Sequence, residues 1–566
     1  MIGVVAKEHE IEAVEEFFQL FKVPWEFYRH GGSYDVLLVS AAAAPEGAAA
    51  QLVLIYGSEV LSSDQVTGAS RFATHQNAKL DWRGNQIPLY GQLLAFEATN
   101  RPTVCSTTAL KIAAIEIEPR SPRIIRLGYD LFEEIAFLLR AGQPVENALA
   151  PTLDLHIELL RDLILASGVS LIEIPPVPAG YEFAVCLTHD IDFVGIRRHK
   201  FDHTMWGFLY RSTLGAARNF LRGKASLRRL IECWKAAVKL PFVYLGWARD
   251  FWMPFEWYLS VEKNLSPTYF FIPFKRRRGD KVNASHAERR ACAYDITDIP
   301  DWVARLQAEG CEIGVHGIDA WHSIEKGREE LNRVGSVART RELGTRSHWL
   351  LRDGNTCSVL EQAGYSYDST CGYNETPGYR NGTSQVFRPP GAQKLLELPM
   401  HIQDGALFYP KRLDMSEAEA WRHCEAFIAI AEKLGGVLTV LWHDRSPAPE
   451  RFWSDFYVRL VDELKSRHAW FGAGAQVVTW FRERRGITFE RGNDAEGNGR
   501  IRLCGRKRSI VPPLRVRIHS PADSAGAGNQ KISDLAWDGL GKFDPRPVTG
   551  TANNNLVTQP AEFHAR

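Results

Sequence analysis

Between residues 181 and 485, short strand-like runs, most of them largely apolar, alternate with amphipathic stretches, and no other feature of the chain constrains its fold as much. The runs 183–188, 267–273, 311–316, 345–350, 395–401, 436–443 and 475–479 predict strands buried on both faces. The stretches 299–309, 325–342, 416–434 and 454–468 predict helices that turn one apolar face to a core. Repeated strand–helix alternation implies a parallel α/β sheet, open or closed into a barrel. In such sheets chemistry gathers beyond the C-terminal ends of the strands, because the loops there converge on one side. Polar residues at those ends are therefore the candidates for function.

The flanks read differently. Residues 1 to about 175 mix strand-like runs (Tyr34–Ser40, Gln51–Tyr56) with helical patterns over 126–141 and 153–167. The Pro-rich stretch 175–180 punctuates the chain like an interdomain linker. Beyond 486 a small β-element around 500–541 is expected, and the Asn-, Pro-, Gly- and Thr-rich end after about 545 predicts disorder. Three parts follow: 1–175 as an N-terminal α+β domain, 176–485 as the strand–helix unit, and 486–566 as a tail. A length of 566 residues fits such a division.

With 68 basic and 67 acidic residues the chain carries +1, which argues against a general nucleic-acid binder. No run reaches the roughly 18–20 apolar residues a membrane-spanning helix needs. The stretch Leu240–Ala248 is short and bounded by Lys239 and Arg249. The opening MIGVVAKEHEIEAVEEF has neither a basic start nor an apolar core, so no secretory signal is expected. Nine scattered cysteines without a CxxC pair predict free thiols and a cytoplasmic protein, peripheral on the inner membrane if the basic insertion described below binds lipid.

Four strand ends carry the candidate chemistry. The run ValCysLeuThrHisAspIleAsp ends in His189, Asp190 and Asp192, charges too costly to bury unpaired. They are either paired with other side chains or bound to a metal. GluIleGlyValHis ends at His316 and continues to Asp319, Trp321 and His322, a metal-ligand set when joined to Asp192. Trp321 is either a sugar-stacking ring or an ordinary core tryptophan. GlyThrArgSerHisTrpLeu brings Arg346, His348 and Trp349, and the arginine suits a carboxylate such as Asp190 or Asp368. GlyGlyValLeuThrValLeuTrpHisAsp delivers His443 and Asp444, and an imidazole beside a carboxylate is a fit general acid near neutral pH. Carboxylates and imidazoles arriving at one polarity point to metal-assisted hydrolysis.

In order and content these motifs resemble the polysaccharide deacetylase family, carbohydrate esterases related to chitin-oligosaccharide and peptidoglycan deacetylases. The resemblance covers about 181–485 and is strongest in ThrHisAspIleAsp, GlyValHisGlyIleAspAlaTrp, TyrAspSerThr and LeuTrpHis. Its wider phrasing resembles the subgroup linked to exopolysaccharide and lipopolysaccharide gene clusters, whose members carry an extra N-terminal domain. The resemblance implies a distorted (β/α) barrel, Asp190 as catalytic base and Asp192 and His316 as metal ligands. It further implies Arg346 as the residue that orients the base, the Trp349 amide facing the oxyanion, and His443 as the acid. Zinc is the expected ion, with cobalt or nickel also suited to nitrogen and oxygen donors. The family's second histidine stands four residues after the first, where this chain has Ala320, so the third ligand is His322 or Asp319. Ile191 occupies the place of an adjacent metal-binding aspartate in the commoner motif, and His348 stands where the third motif has proline.

From Arg197 to Asp250, within an insertion at about 193–255, twelve Lys/Arg face three Asp/Glu with nine aromatics interleaved. Such a helical insertion suits an anionic membrane surface, an acidic polysaccharide, or a cover over the barrel's active end. Two principal functions follow: a metal-dependent hydrolase deacetylating an N- or O-acetylated cell-surface saccharide, or a catalytically silent saccharide-binding or scaffold protein. Glycoside hydrolysis by Asp190 or Asp192 with Asp368 is a third, and it leaves the histidines without a task.

Overall fold

The computed structural model describes residues 1–40, 50–61, 64, 71–98, 101–119, 122–223, 225–281, 287–493, 499–520 and 531–545. The strand–helix alternation builds one parallel sheet, and eight of its strands are numbered here: β1 (Ala184–Ile191), β2 (Thr268–Phe271), β3 (Glu312–Gly317), β4 (Thr345–Ser347), β5 (Tyr367–Asp368), β6 (Leu396–Glu397), β7 (Ile402–Gln403) and β8 (Val437–Leu441). Their order is β6-β5-β4-β3-β2-β1-β8-β7, and Trp470–Phe471 adds a ninth strand against β1. Every pairing along this path is parallel. Among the described residues β6 and β7 end the path without pairing to each other, so the sheet curls into part of a barrel and does not close.

β1 is central and buried at all eight positions, as expected of a continuous apolar run. The surrounding helices are stopped and started by local chemistry. Ser416 caps Glu417–Leu434 in a reciprocal capping box with Glu419, and Ser323 caps Ile324–Ala338 through the Lys326 amide. Pro300 opens Pro300–Ala308, where its missing N–H costs nothing. One close approach demands glycine: a Cβ on Gly314 would lie 2.6 Å from the Phe270 ring, the ring that supports Arg346.

Two expected elements come out differently. The run 475–479 is not a strand: it lies in the helix Gly474–Arg485, whose buried Gly474, Val477, Val478, Phe481 and Arg484 follow three- and four-residue spacing. The 126–141 pattern divides into a strand, Arg123–Leu127, and a helix, Leu131–Arg140, because Asp130 caps the latter by accepting from the Phe132 and Glu133 amides.

The N-terminal part holds its own nine-stranded sheet. Parallel pairings run from Trp25–Phe27 through Ile2–Val5, Val36–Val39 and Leu52–Tyr56 to Arg123–Leu127, and antiparallel pairings continue to Asn85–Pro88. Helices Ile11–Leu20, Leu131–Arg140 and Thr152–Ala166 share its core. The stretch expected to be a linker is packed: Pro175 to Pro178 are buried, and Leu171–Glu173 pairs with Leu514–Ser520 of a C-terminal β-element. The disorder expected after about 545 falls outside the described residues. All nine cysteines are free thiols. Among the described residues no helix is long and apolar enough to cross a membrane.

Candidate active site

Strand alternation decides which of the charges at the end of β1 face the site. Successive side chains point to opposite sides of a sheet, so Asp190 and Asp192 share one face and His189 takes the other. His189 is fully buried there, with Nδ1 on the Trp442 carbonyl at 2.8 Å and Nε2 on Glu262 at 2.9 Å. Its ring lies against Tyr258, and Tyr457 donates its hydroxyl to the same Glu262. His189 therefore anchors β1.

On the inner face, Arg346 of β4 is completely buried and every part of its guanidinium is engaged. Nη1 donates to Asp190 Oδ1 and to Thr188 Oγ1, both at 2.9 Å, while Nε and Nη2 donate to the carbonyl and hydroxyl of Ser369. A guanidinium fixed on four sides holds one oxygen of Asp190 in a single position. Asp190 Oδ2 is left facing His316 Nε2 at 3.8 Å.

His316 of β3 turns its Nδ1 to the Arg346 carbonyl at 2.9 Å, which directs Nε2 to Asp192 Oδ1 at 3.4 Å. His348, just past β4, brings Nδ1 to the same oxygen at 3.3 Å. The two rings meet edge to face at 4.8 Å. Burial disfavours the Asp192 carboxylate, but the neighbouring His348 and His316 outweigh it and hold its pKa well below the usual range. Burial lowers the His348 pKa to about 4 despite Asp192. Cys292 Sγ, Asp192 and His348 place ligand atoms within 4.8 Å of one another. Arg290 donates to the carbonyls of Ile318 and His348, tying the two histidine-bearing strand exits together.

The donor set fits a divalent transition ion. Asp192 Oδ1 and His348 Nδ1 are buried yet have no hydrogen-bond partner, which is what an atom reserved for a metal looks like. His316 already gives its other ring nitrogen to a backbone carbonyl, the arrangement that fixes a ligating tautomer.

His322 is not part of this group, which corrects its expected place beside Asp192 and His316. The chain bends after β3, with the His322 amide on the Asp319 carbonyl, and the ring Nε2 contacts Asp319 Oδ1 at 3.1 Å. Asp319, the competing ligand, is also taken up, accepting from the Asp280 amide and Lys326. Trp321 is 8% exposed and packs edge-on to His322, as a core tryptophan does. Of the two carboxylates open to Arg346 it is Asp190 that the guanidinium holds, while Asp368 is buried and accepts the Thr370 hydroxyl.

The partner of His443 is not the adjacent Asp444. It is Asp404, just beyond β7, which accepts from His443 Nδ1 at 2.6 Å and from the His443 amide at 2.8 Å, with the Ser446 hydroxyl on the same carboxylate. Burial works against a charged imidazole here, but Asp404, aided by Asp192 and Asp190, raises the His443 pKa well above its ordinary value. Asp444 is buried and accepts the Phe193 amide, and burial together with Asp192 pushes its carboxyl pKa well up. Trp349 stands in a left-handed conformation (φ 66°) and is 36% exposed, on the wall of a groove of about 1820 Å³.

No protein-family model matches the chain, and no curated protein does. Among solved structures it is similar to several deacetylases and esterases of carbohydrates. The carbohydrate deacetylase Agd3 matches over 96% of this chain and 99% of its own at 8% identity and a TM-score of 0.34. The allantoinase PuuE matches over 54% of this chain and 92% of its own at 14% identity and a TM-score of 0.33. A family 4 carbohydrate esterase from Streptomyces lividans, in complex with acetate, matches over 52% of this chain and 93% of its own at 11% identity and a TM-score of 0.22. At such identities and scores these likenesses carry no weight for the chemistry, which rests on the distances above.

Proposed function

We propose that the chain is a metal-dependent hydrolase that removes an acetyl group from an N- or O-acetylated saccharide of the bacterial cell surface. The observation that carries this reading is the meeting, at one end of one parallel sheet, of an arginine-held carboxylate, a carboxylate–diimidazole set with orphaned donor atoms, and an imidazole backed by a carboxylate. Asp192, His316 and His348 would hold the ion, and zinc bound there would polarise the acyl carbonyl and acidify water. Asp190, pinned through Oδ1, offers Oδ2 as the acceptor for the proton of the attacking water. The Trp349 amide is the donor for the tetrahedral oxyanion. His443, kept protonated by Asp404, gives its proton to the departing nitrogen or oxygen.

Elemental analysis together with acetate release from chitotetraose tests this reading. About one equivalent of transition metal is expected in the wild type, lost in His316→Ala and His348→Ala and retained in His322→Ala. Asp190→Asn is expected to keep the metal and lose about 10²–10⁴-fold in turnover. A wild type that takes up no metal after reloading and releases no acetate would leave the saccharide-binding scaffold as the account.

We also propose that the insertion lies on an anionic membrane surface. Helix Leu227–Tyr244 packs Leu230, Cys233, Ala236, Leu240 and Val243 inward. Its opposite side exposes Leu227, Ile231, Trp234, Val238 and Phe242, at three- and four-residue spacing. Trp206, Tyr210 and Leu214 stand exposed on the neighbouring helical segment. So large an apolar surface among twelve cations suits anionic lipid, and the same excess charge opposes pairing with a second copy. Co-sedimentation with vesicles of 70% phosphatidylcholine and 30% phosphatidylglycerol should show binding that weakens with salt, with at least tenfold loss on Trp206→Gln/Trp234→Gln. Equal binding to pure phosphatidylcholine, or self-association that the same substitutions abolish, would overturn it.

A further inference from the structure

The groove walled by Trp349 is strongly basic. Nine Lys/Arg against four Asp/Glu line it, drawn from the insertion, the segments after β7 and β8, and Arg289 between β2 and β3. Arg229 pairs with Glu417, Arg412 with Glu375 and Arg445 with Glu450, yet the lining keeps an excess of five positive charges beside a candidate catalytic site.

Within the groove three arginines stand out. Arg211, Arg445 and Arg451 each have a buried Nε with no hydrogen-bond partner. Arg445 is 7% exposed, its guanidinium lying 4.6 Å from both the Phe193 and Trp252 rings. Arg451 lies 4.4 Å from the Tyr409 ring and 4.8 Å from Trp453. Aromatic faces on the flanks of a guanidinium leave its edge as the direction for hydrogen bonds. The one acid among them is Glu450, whose Oε1 stands 3.6 Å from Arg445 Nε and whose Oε2 accepts from Trp252 Nε1. One carboxylate does not satisfy three cations. Burial, with the neighbouring Arg451, lowers the Arg445 pKa to about 10. Arg445 follows His443 by two residues, and Trp349 follows His348, so the groove adjoins the groups assigned to chemistry.

We infer that Arg211, Arg445 and Arg451 form a subsite for an oxyanion carried by the saccharide, either a phosphate or a sugar carboxylate. This rests on the saccharide-hydrolase reading for the identity of the neighbouring chemistry, and adds that the preferred substrate is anionic. Bidentate guanidinium–oxyanion contacts give both affinity and a fixed orientation, which would set the acetyl group against the Asp190 end of the groove.

Calorimetry on the full chain at low salt tests it with two charged probes, each beside a neutral counterpart: a hyaluronan tetrasaccharide beside chitotetraose, and N-acetylglucosamine 1-phosphate beside N-acetylglucosamine. At least one charged probe should bind about tenfold or more tightly than its neutral counterpart, and the advantage should disappear in Arg211→Gln and Arg445→Gln. Preference for the tetrasaccharide assigns a carboxylate, and preference for the sugar phosphate assigns a phosphate. Arg445 is sandwiched between rings, so Arg211→Gln, at a half-buried position, carries the test if Arg445→Gln does not fold. Equal binding of charged and neutral probes, or a preference that survives both substitutions, overturns the inference. Acetate release separates the two claims: no release from any probe with the preference intact counts against the hydrolase alone, and release without preference counts against this subsite alone.

Discussion

At the scale of single residues, the site is a set of side chains whose roles depend on what stands behind them. His443 is paired with Asp404, 39 positions away, and the neighbouring Asp444 instead caps the Phe193 amide. The charge of Asp404 raises the His443 pKa, so the protonated imidazole persists below that raised value and is lost as pH rises through it. Asp404→Asn removes the charge, and the alkaline limb of the pH–rate profile should move to lower pH. A profile that does not move would show that His443 is not the group losing its proton. Asp190, Asp192, His316 and His443 are visible in the sequence because each ends an apolar run, and Arg346 because its segment resembles the family's third motif. His348 is hidden, since it reads as a replacement for a proline and only the approach of β4 to β3 brings it to Asp192. Asp404 is hidden because nothing in its own segment marks it as a partner of His443.

At the scale of elements, alternation along β1 assigns faces that residue chemistry alone does not. ThrHisAspIleAsp offers three polar side chains at one strand end, and period two sends His189 to the rear. His189→Ala should therefore destabilise the fold by about 2–3 kcal/mol, because Glu262 and the Trp442 carbonyl lose a buried partner. Denaturant unfolding measures the loss, and acetate release per folded molecule should stay near the wild-type value. A variant as stable as wild type but inactive would move His189 into the site. The run 475–479 shows the opposite difficulty: a short β-branched stretch satisfies strand and helix equally, and the continuation to Phe481 and Arg484 selects the helix. Leu227–Tyr244 carries apolar residues on two faces, only one of which is covered among the described residues.

At the scale of the whole molecule, the N-terminal sheet and the parallel sheet are joined by buried polar contacts as well as apolar packing. Arg484, fully buried on the helix Gly474–Arg485, donates to the carbonyls of Gln19, Leu20, Ile174 and Pro175. Asp154 of the helix Thr152–Ala166 accepts from Thr383, Ser384 and Gln385 beside the parallel sheet. Arg484→Met should cost about 3–5 kcal/mol by stranding those carbonyls. Limited proteolysis should then cut first near 174–178, a stretch that is buried in the wild type. Unchanged unfolding and cleavage would mean that the two sheets do not depend on this contact.

By itself the sequence determined the class of fold and the polarity of the site. Continuous apolar runs need burial on both faces, a chain that alternates them with helices has few ways to supply it, and charges at the run ends must leave the core together. It did not determine which of two nearby histidines meets Asp192, which aspartate backs His443, or whether the sheet closes. Those outcomes depend on how far each loop carries the chain before the next strand pairs, a distance set by packing between residues far apart in sequence. His322 and His348 are alike as side chains, and only the register of β3 against β4 separates them.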